Sequence, residues 1–137
     1  MLRKLLSSLT VAAAIAVSYT PDVMAAKMAY AAQTSNERGI KITVILQNIR
    51  NATNAWAFEV TLETHTQPLN DDLTRSATLI ADGKRYLPLA WAGAPPGGHH
   101  RKGMLRFKAA GPQPRSMELQ IRLTGDTSPR SFKWLLN

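Results

Sequence analysis

Hydrophobic and polar residues alternate with a period of two along several short stretches of this chain. In the clearest run, Trp56, Phe58, Val60 and Leu62 fall on one parity, and the residues between them are small or polar. Alternation of this kind is typical of a β-strand that buries one of its faces. Together with weaker runs, the pattern predicts strands over residues 40–47, 56–63, 74–81, 86–91, 105–109, 117–123 and 132–136.

The dipeptide Asp82-Gly83 lies between two of these apolar runs. Such a dipeptide is the strongest short-range signal for a β-hairpin, because both residues accept the positive φ angles of a tight turn. A two-residue turn at this point predicts that Leu79 pairs with Tyr86 and that Ile80 pairs with Arg85.

Short strands that follow one another without helical segments exclude the α/β folds, since parallel strands need long crossover connections. We therefore predict an all-β fold, an immunoglobulin-like antiparallel β-sandwich of about seven strands. A small β-barrel is the alternative. In either fold, the rings of Trp56, Phe58, Phe107 and Trp134 would form the centre of the core, because large aromatic side chains bury the most surface.

The N-terminal segment has a different composition from the rest of the chain. Arg3 and Lys4 precede a mostly apolar run of about 13 residues, which Pro21 ends. This run is too short for a transmembrane helix, which needs roughly 20 apolar residues. Val23 and Ala25 provide the small side chains of a cleavage site. We predict a signal peptide over 1–25, a flexible leader over 26–38 and the β-sandwich domain over 39–137.

The chain contains no cysteine. A disulfide framework, a thiolate metal site and a lipid-anchored lipoprotein are therefore excluded. A signal peptide followed by a chain that is independent of redox state predicts a periplasmic or secreted protein, with no transmembrane span after cleavage.

The net charge of the chain is +8, and basic residues are concentrated in its second half. Between Asp82 and Glu118 every charged residue is Lys or Arg. A patch of one sign attracts anionic partners. We predict an anion-binding set of Arg101, Lys102, Arg106 and Lys108, which would bind an envelope component or an anionic polymer. Nucleic acid is not expected as the partner of an exported protein. The alternative is a solvated face that only provides solubility.

The three histidines suggest a metal site. His65 ends a predicted strand, whereas His99 and His100 lie in a loop rich in Pro and Gly, which we predict over 93–103. If the two regions meet at one end of the sandwich, the imidazoles of His65, His99 and His100 could bind copper or zinc. Met104 or Glu63 could add a ligand. The alternative is a structural loop whose histidines hydrogen-bond to the main chain and cap the sandwich.

Catalytic motifs are weak. The serines lack the sequence of a nucleophile elbow, and Gly97-Gly98 does not precede a helix, as a phosphate-binding loop would. We therefore predict that the protein is not an enzyme, and that it uses no cofactor unless the metal hypothesis holds.

The segment from Trp91 to Phe107 reads W-x-G-x-P-P-G-G-H-H-R-x-G-x-L-x-F. It resembles a signature of small exported prokaryotic β-sandwich domains of unknown function, which also show Thr64-His65 and Asp72-Leu73 at matching places. The resemblance covers residues 64–107, and it implies that His65, His99 and His100 form a functional set.

Two hypotheses follow from these patterns. The first is an exported, non-enzymatic binding or interaction module of the cell envelope with a functional His-rich loop. The second is a periplasmic protein that binds copper or zinc through the three histidines.

Overall fold

The structure is a computed structural model that describes residues 30–47, 49 and 54–136. The signal peptide predicted over 1–25 lies outside the described residues, as does the first part of the predicted leader. Over the ranges that are described, no helix has the length and apolar character needed to cross a membrane.

The described residues form nine β-strands and one short helix. In chain order these are β1 (Gln33–Glu37), β2 (Ile40–Leu46), β3 (Ala55–Thr64), α1 (Leu73–Ser76), β4 (Ala77–Ala81), β5 (Lys84–Tyr86), β6 (Ala90–Gly93), β7 (His100–Lys108), β8 (Ser116–Ile121) and β9 (Arg130–Leu135). A five-stranded sheet has the order β1-β2-β3-β7-β6, and a four-stranded sheet has the order β5-β4-β8-β9. All neighbouring strands are antiparallel, which confirms the predicted two-sheet sandwich.

The core lies between the inner faces of the two sheets. Along β3 every second residue is buried, as the alternation of the sequence predicts. The four aromatic residues expected in the core are all buried, at 3% exposure or less. Phe58 is central among them, because its ring centroid lies 5.8 Å from that of Phe107 and 5.3 Å from that of Trp134. Such aromatic pairs add about 0.5–1.5 kcal/mol beyond the area that they bury.

The hairpin between β4 and β5 has the predicted register, with Leu79 opposite Tyr86 and Ile80 opposite Arg85. Asp82 and Gly83 have φ angles of 46° and 80°, in the left-handed region that a two-residue hairpin turn requires. The predicted register is therefore confirmed. It was predictable from the sequence because the turn depends only on residues that are adjacent in the chain.

The strand predicted over 86–91 is wrong as a single element. The chain leaves the four-stranded sheet after Tyr86 and enters the five-stranded sheet at Ala90, so that the segment contributes to both layers. Pro88 lies in the connection, where its lack of an N–H group interrupts no ladder. Leu87 and Leu89 on either side of it are 79% and 64% exposed.

The structure also corrects the predicted leader over 26–38, since residues 33–37 form β1. This strand is polar and has no hydrophobic alternation, but its main chain pairs with β2 from Gln33 opposite Val44 to Glu37 opposite Ile40. The Gln33 side chain donates to the Lys133 carbonyl oxygen at 2.6 Å and accepts from the Lys133 N–H at 3.0 Å. The sandwich therefore begins before residue 39, with β1 held to the edge of the second sheet.

The strand predicted over 74–81 begins later than expected, because Asp72 starts a helical turn. Its side chain accepts hydrogen bonds from the Thr74 N–H at 2.9 Å and from the Thr74 hydroxyl at 2.7 Å. These bonds, the side-chain one first, hold the pKa of Asp72 below its usual range. The turn is therefore capped, and β4 starts only at Ala77.

Candidate functional site: the outer face of the five-stranded sheet

The Pro- and Gly-rich loop is fixed to the residues that follow β3. The Gly97 N–H donates to the Leu69 carbonyl at 2.7 Å, and the Leu69 N–H donates to the Gly98 carbonyl at 2.9 Å. The Thr64 N–H donates to the His99 carbonyl at 3.0 Å. Because of these bonds the loop is shorter than predicted, and β7 already begins at His100.

Arg101 lies inside the sandwich, with only 1% of its surface exposed. Its guanidinium donates to the carbonyl oxygens of Leu69 at 3.2 Å, of Asp71 at 2.7 Å and of Ala94 at 3.3 Å. It also lies 5.8 Å from the centroid of the Trp91 ring. Burial lowers the pKa of Arg101 from its usual value, while the nearby Asp71 and Asp72 oppose that change.

The prediction that Arg101 binds a surface anion is therefore wrong. A buried charge is tolerated only where its hydrogen bonds are satisfied, and here main-chain carbonyls satisfy them. The side chain joins the loop after β3 to the loop before β7. It thus holds the end of the sandwich together.

The glycines of the sequence signature have a packing role as well. Gly93 and Gly103 face each other across β6 and β7. A Cβ atom on Gly103 would lie 2.6 Å from the Gly93 Cα atom and 2.8 Å from a ring carbon of Trp91. The Trp91 indole N–H donates to the Ala94 carbonyl at 2.8 Å. The ring therefore packs over Gly103 because this residue lacks a side chain, and at Gly93 a Cβ atom would lie 2.4 Å from the Gly103 Cα atom.

The three histidines are exposed and lie at the same end of the sandwich. His100 is the register partner of Glu63, and the main chain of His99 pairs with that of Thr64, next to His65. Among the residues that the structure describes, however, no three His, Asp or Glu side chains form a group that could hold a metal ion. The structure thus places the three predicted residues near one end, and metal binding by them stays a prediction.

Arg106 and Lys108 do share one face, as predicted. The outward positions of β7 are His100, Lys102, Met104, Arg106 and Lys108, while Arg101, Leu105 and Phe107 point into the core. Across the strand pairs, Arg106 lies between Ala57 and Ala90, and Lys108 lies opposite Ala55. These alanines leave both cations prominent, since no long side chain flanks them in those register positions.

The charges on this face are not equally available. Lys102 pairs with Glu59 and Lys41 pairs with Glu63, each with an N–O distance of 3.2 Å. Neither Arg106 nor Lys108 forms an ion pair with a carboxylate of the described residues. Both side chains are exposed, so their positive charge is directed at solvent.

A polar cleft lies at the other end of the same face, with a volume of about 380 Å³. It is lined by Asn36, Gly39, Lys41, Glu63, Thr64, His65 and Thr66. The Thr64 hydroxyl donates to the Gly39 carbonyl at 2.8 Å and lies 3.3 Å from the Thr66 hydroxyl. Gly39 has a φ of +74°, and a Cβ atom there would lie 2.7 Å from the Thr66 hydroxyl oxygen. The cleft therefore offers both donors and acceptors of hydrogen bonds.

Between the cleft and the two free cations runs a row of hydroxyl groups. Thr34, Thr43, Thr61 and Lys102 are register partners across β1, β2, β3 and β7. The Thr34 and Thr43 hydroxyl oxygens are 3.4 Å apart. Sequence reasoning missed this threonine row, because its members come from separate strands. For Thr43 and Thr61 the one signal is that each stands between two buried apolar residues of its own strand, whereas Thr34 lies between Gln33 and Ser35 and has no such signal.

On the outer face of the four-stranded sheet, the central acid is held by hydrogen bonds. Glu118 accepts hydrogen bonds from the Ser131 hydroxyl and from the Gln120 amide at 3.2 Å. These bonds, followed by the charges of Lys133 and Arg85, hold the pKa of Glu118 below its usual range. The cations of this face thus lie close to a carboxylate.

No family model and no curated protein matches this chain. Among solved structures, the chain is similar to MPT63, a secreted protein from Mycobacterium tuberculosis, with a TM-score of 0.47 and 15% sequence identity. The alignment covers 77% of this chain and 92% of that chain.

Proposed function

We propose that this protein is an exported, non-enzymatic binding module whose outer face on the five-stranded sheet binds an anionic polymer of the cell envelope. One observation carries the proposal. Arg106 and Lys108 stand at alternate positions of β7, exposed and without a carboxylate partner among the described residues. They are flanked in register by alanines, so a polymer could reach both.

The N-terminal pattern supports the exported location, because a basic start, a short apolar run and a small-residue cleavage site are what a signal peptide requires. An envelope also supplies the anionic polymers to which a protein of net charge +8 is attracted. The His-rich loop has a supporting role in this proposal: it fixes the start of β7 and so determines which residues point outward.

The test compares two charge-matched variants of the purified protein on immobilised heparin, which serves as a model polyanion. Arg106→Ala/Lys108→Ala removes the free cations of the outer face. Lys84→Ala/Arg85→Ala removes two exposed charges from β5, at the edge of the other sheet. We expect the first variant to bind about tenfold more weakly and with a shallower salt dependence, since two fewer counterions are released. The second variant should elute close to the wild type.

Two results would contradict the proposal. One is an equal loss in both variants, which would mean that net charge alone retains the protein. The other is a wild-type protein that passes through the column at low salt.

A further inference from the structure

The composition of the outer face points to a narrower class of ligand, and this inference rests on the function proposed above. We infer that the anionic polymer is an acidic polysaccharide, whose hydroxyl groups bind the threonine row and whose acid groups bind Arg106 and Lys108.

The face is divided into two parts with different chemistry. The threonine row of Thr34, Thr43 and Thr61 continues at one end into the polar cleft, through the neighbouring register row of Asn36, Lys41 and Glu63. The free cations are at the opposite end. Alternate residues along a strand are about 6.7 Å apart, so Arg106 lies roughly 13 Å from the row of Lys102. A ligand that contacts both parts must therefore be extended.

The hydroxyl part suits a ligand that is neutral over some of its length. Hydroxyl groups donate and accept, as the hydroxyls of a sugar ring do, whereas phosphate oxygens are acceptors. Neighbouring strands are about 4.8 Å apart, so the three threonines cover roughly 10 Å across the sheet. The threonines thus form a polar strip of this width, which a polysaccharide chain could cross or follow.

The acids on the face argue against a ligand with closely spaced charges. Glu59 stands between the threonine row and the row of Arg106, and Glu63 stands beside the cleft. Each of these carboxylates is paired with a lysine, Glu59 with Lys102 and Glu63 with Lys41. A polyphosphate that lay along this part of the face would find both lysines already neutralised, and its closely spaced charges would lie beside carboxylates that repel them. In an acidic polysaccharide, neutral ring atoms and hydroxyls separate the acid groups, so such a chain avoids this repulsion.

The experiment uses the purified protein and three probes: alginate as a carboxylated polysaccharide, heparin as a sulfated one, and long-chain inorganic polyphosphate. The test variant is Thr43→Val/Thr61→Val, which removes two hydroxyls but keeps β-branched side chains that favour strands. Thr78→Val, on the outer face of the four-stranded sheet, is the control. Thr43→Ser/Thr61→Ser keeps both hydroxyls, so this variant should bind like the wild type if the lost hydroxyls cause the weaker binding of the valine variant.

We expect the valine variant to bind both polysaccharides about tenfold more weakly, because it loses two hydrogen bonds to the ligand. Its affinity for polyphosphate should equal that of the wild type. The inference would be overturned if this variant bound alginate and heparin as tightly as the wild-type protein does. A wild-type preference for polyphosphate over both polysaccharides would also overturn it. If the valine variant fails to fold, the probe preference of the wild-type protein decides the question.

The two proposals can fail separately. If Arg106→Ala/Lys108→Ala lowers the affinity for all three polymers and the valine variant changes none, the binding function stands and the polysaccharide inference falls. If the cation variant changes no affinity, the proposed function itself is wrong.

Discussion

Arg101 and Arg106 are five residues apart on the same strand, yet they have opposite roles. Arg101 points inward, is 1% exposed and donates to three main-chain carbonyls. Arg106 points outward, is exposed and forms no ion pair with a described carboxylate. Both stand in one basic run of the sequence. The comparison shows that the parity of a residue in its strand, and not its charge, decides whether it supports the fold or is available to a ligand.

The largest effect is expected when each guanidinium is removed in turn. Arg101→Met removes the guanidinium bonds to three carbonyl oxygens. The Leu69 and Ala94 carbonyls keep the Gly97 N–H and the Trp91 indole N–H as donors, whereas the Asp71 carbonyl loses its guanidinium donor. We expect the lost bonds to lower the free energy of unfolding by about 3 kcal/mol. Arg106→Met, an equal change at an exposed position, should alter it by no more than about 0.5 kcal/mol. Urea denaturation of both variants measures the difference. Similar stabilities would show that Arg101 is not the structural residue that its contacts indicate.

A second prediction tests whether the inward side of β7 is as tightly packed as the structure indicates. A Cβ atom at Gly103 would lie 2.6 Å from the Gly93 Cα atom, so Gly103→Ala should destabilise the protein by about 2 kcal/mol through overpacking. Gly98→Ala is the control, because nothing lies within 4 Å of its added Cβ and only its φ of +69° costs energy. We expect a smaller loss there, about 1 kcal/mol. Thermal unfolding should therefore rank the two variants in this order.

The smallest effect concerns the outer face of the four-stranded sheet, where Glu118 accepts hydrogen bonds from Ser131 and Gln120. Ser131→Ala removes the main hydrogen bond that lowers the pKa of Glu118, so this pKa should rise toward its usual value. A lowered pKa in the folded state stabilises the protein above the unfolded-state pKa, and this stabilisation is lost as the pH falls through the folded-state value. The variant should therefore be less stable than the wild type at neutral pH and equal to it in strong acid.

An NMR titration of the Glu118 carboxyl group, with denaturation at both pH values, checks this prediction. Ser116→Ala, two residues from Glu118 on β8, should leave the Glu118 pKa as it is in the wild type. If both serine variants raise the pKa equally, the Ser131 hydroxyl is not the cause.

The all-β class, the hairpin at Asp82-Gly83 and the aromatic core were predictable from the sequence, because each depends on residues that are near one another along the chain. Period-two alternation predicts which side chains of a strand point into the core. A two-residue turn sets the register of the strands that it joins. These local patterns hold wherever the strands later pack, so they predicted the sandwich without knowledge of its sheets.

Tertiary structure alone decided the remaining features. The polar strand β1 exists because β2 offers its edge, and the segment around Pro88 divides because its two ends pair with different sheets. Hydrogen bonds from Leu69 to the loop before β7 determine that β7 begins at His100. Extending the parity of Leu105 and Phe107 back to residue 101 would have found the buried arginine, but only if the strand was known to reach that far.

The threonine row and the two free cations likewise come together only in the folded sheet. Thr34, Thr43 and Thr61 belong to three different strands, and nothing in the sequence between them indicates that they align. Local sequence sets which way each side chain points along its own strand. Register between strands sets which side chains become neighbours, and that depends on pairing over long distances in the chain, where composition and periodicity carry no information.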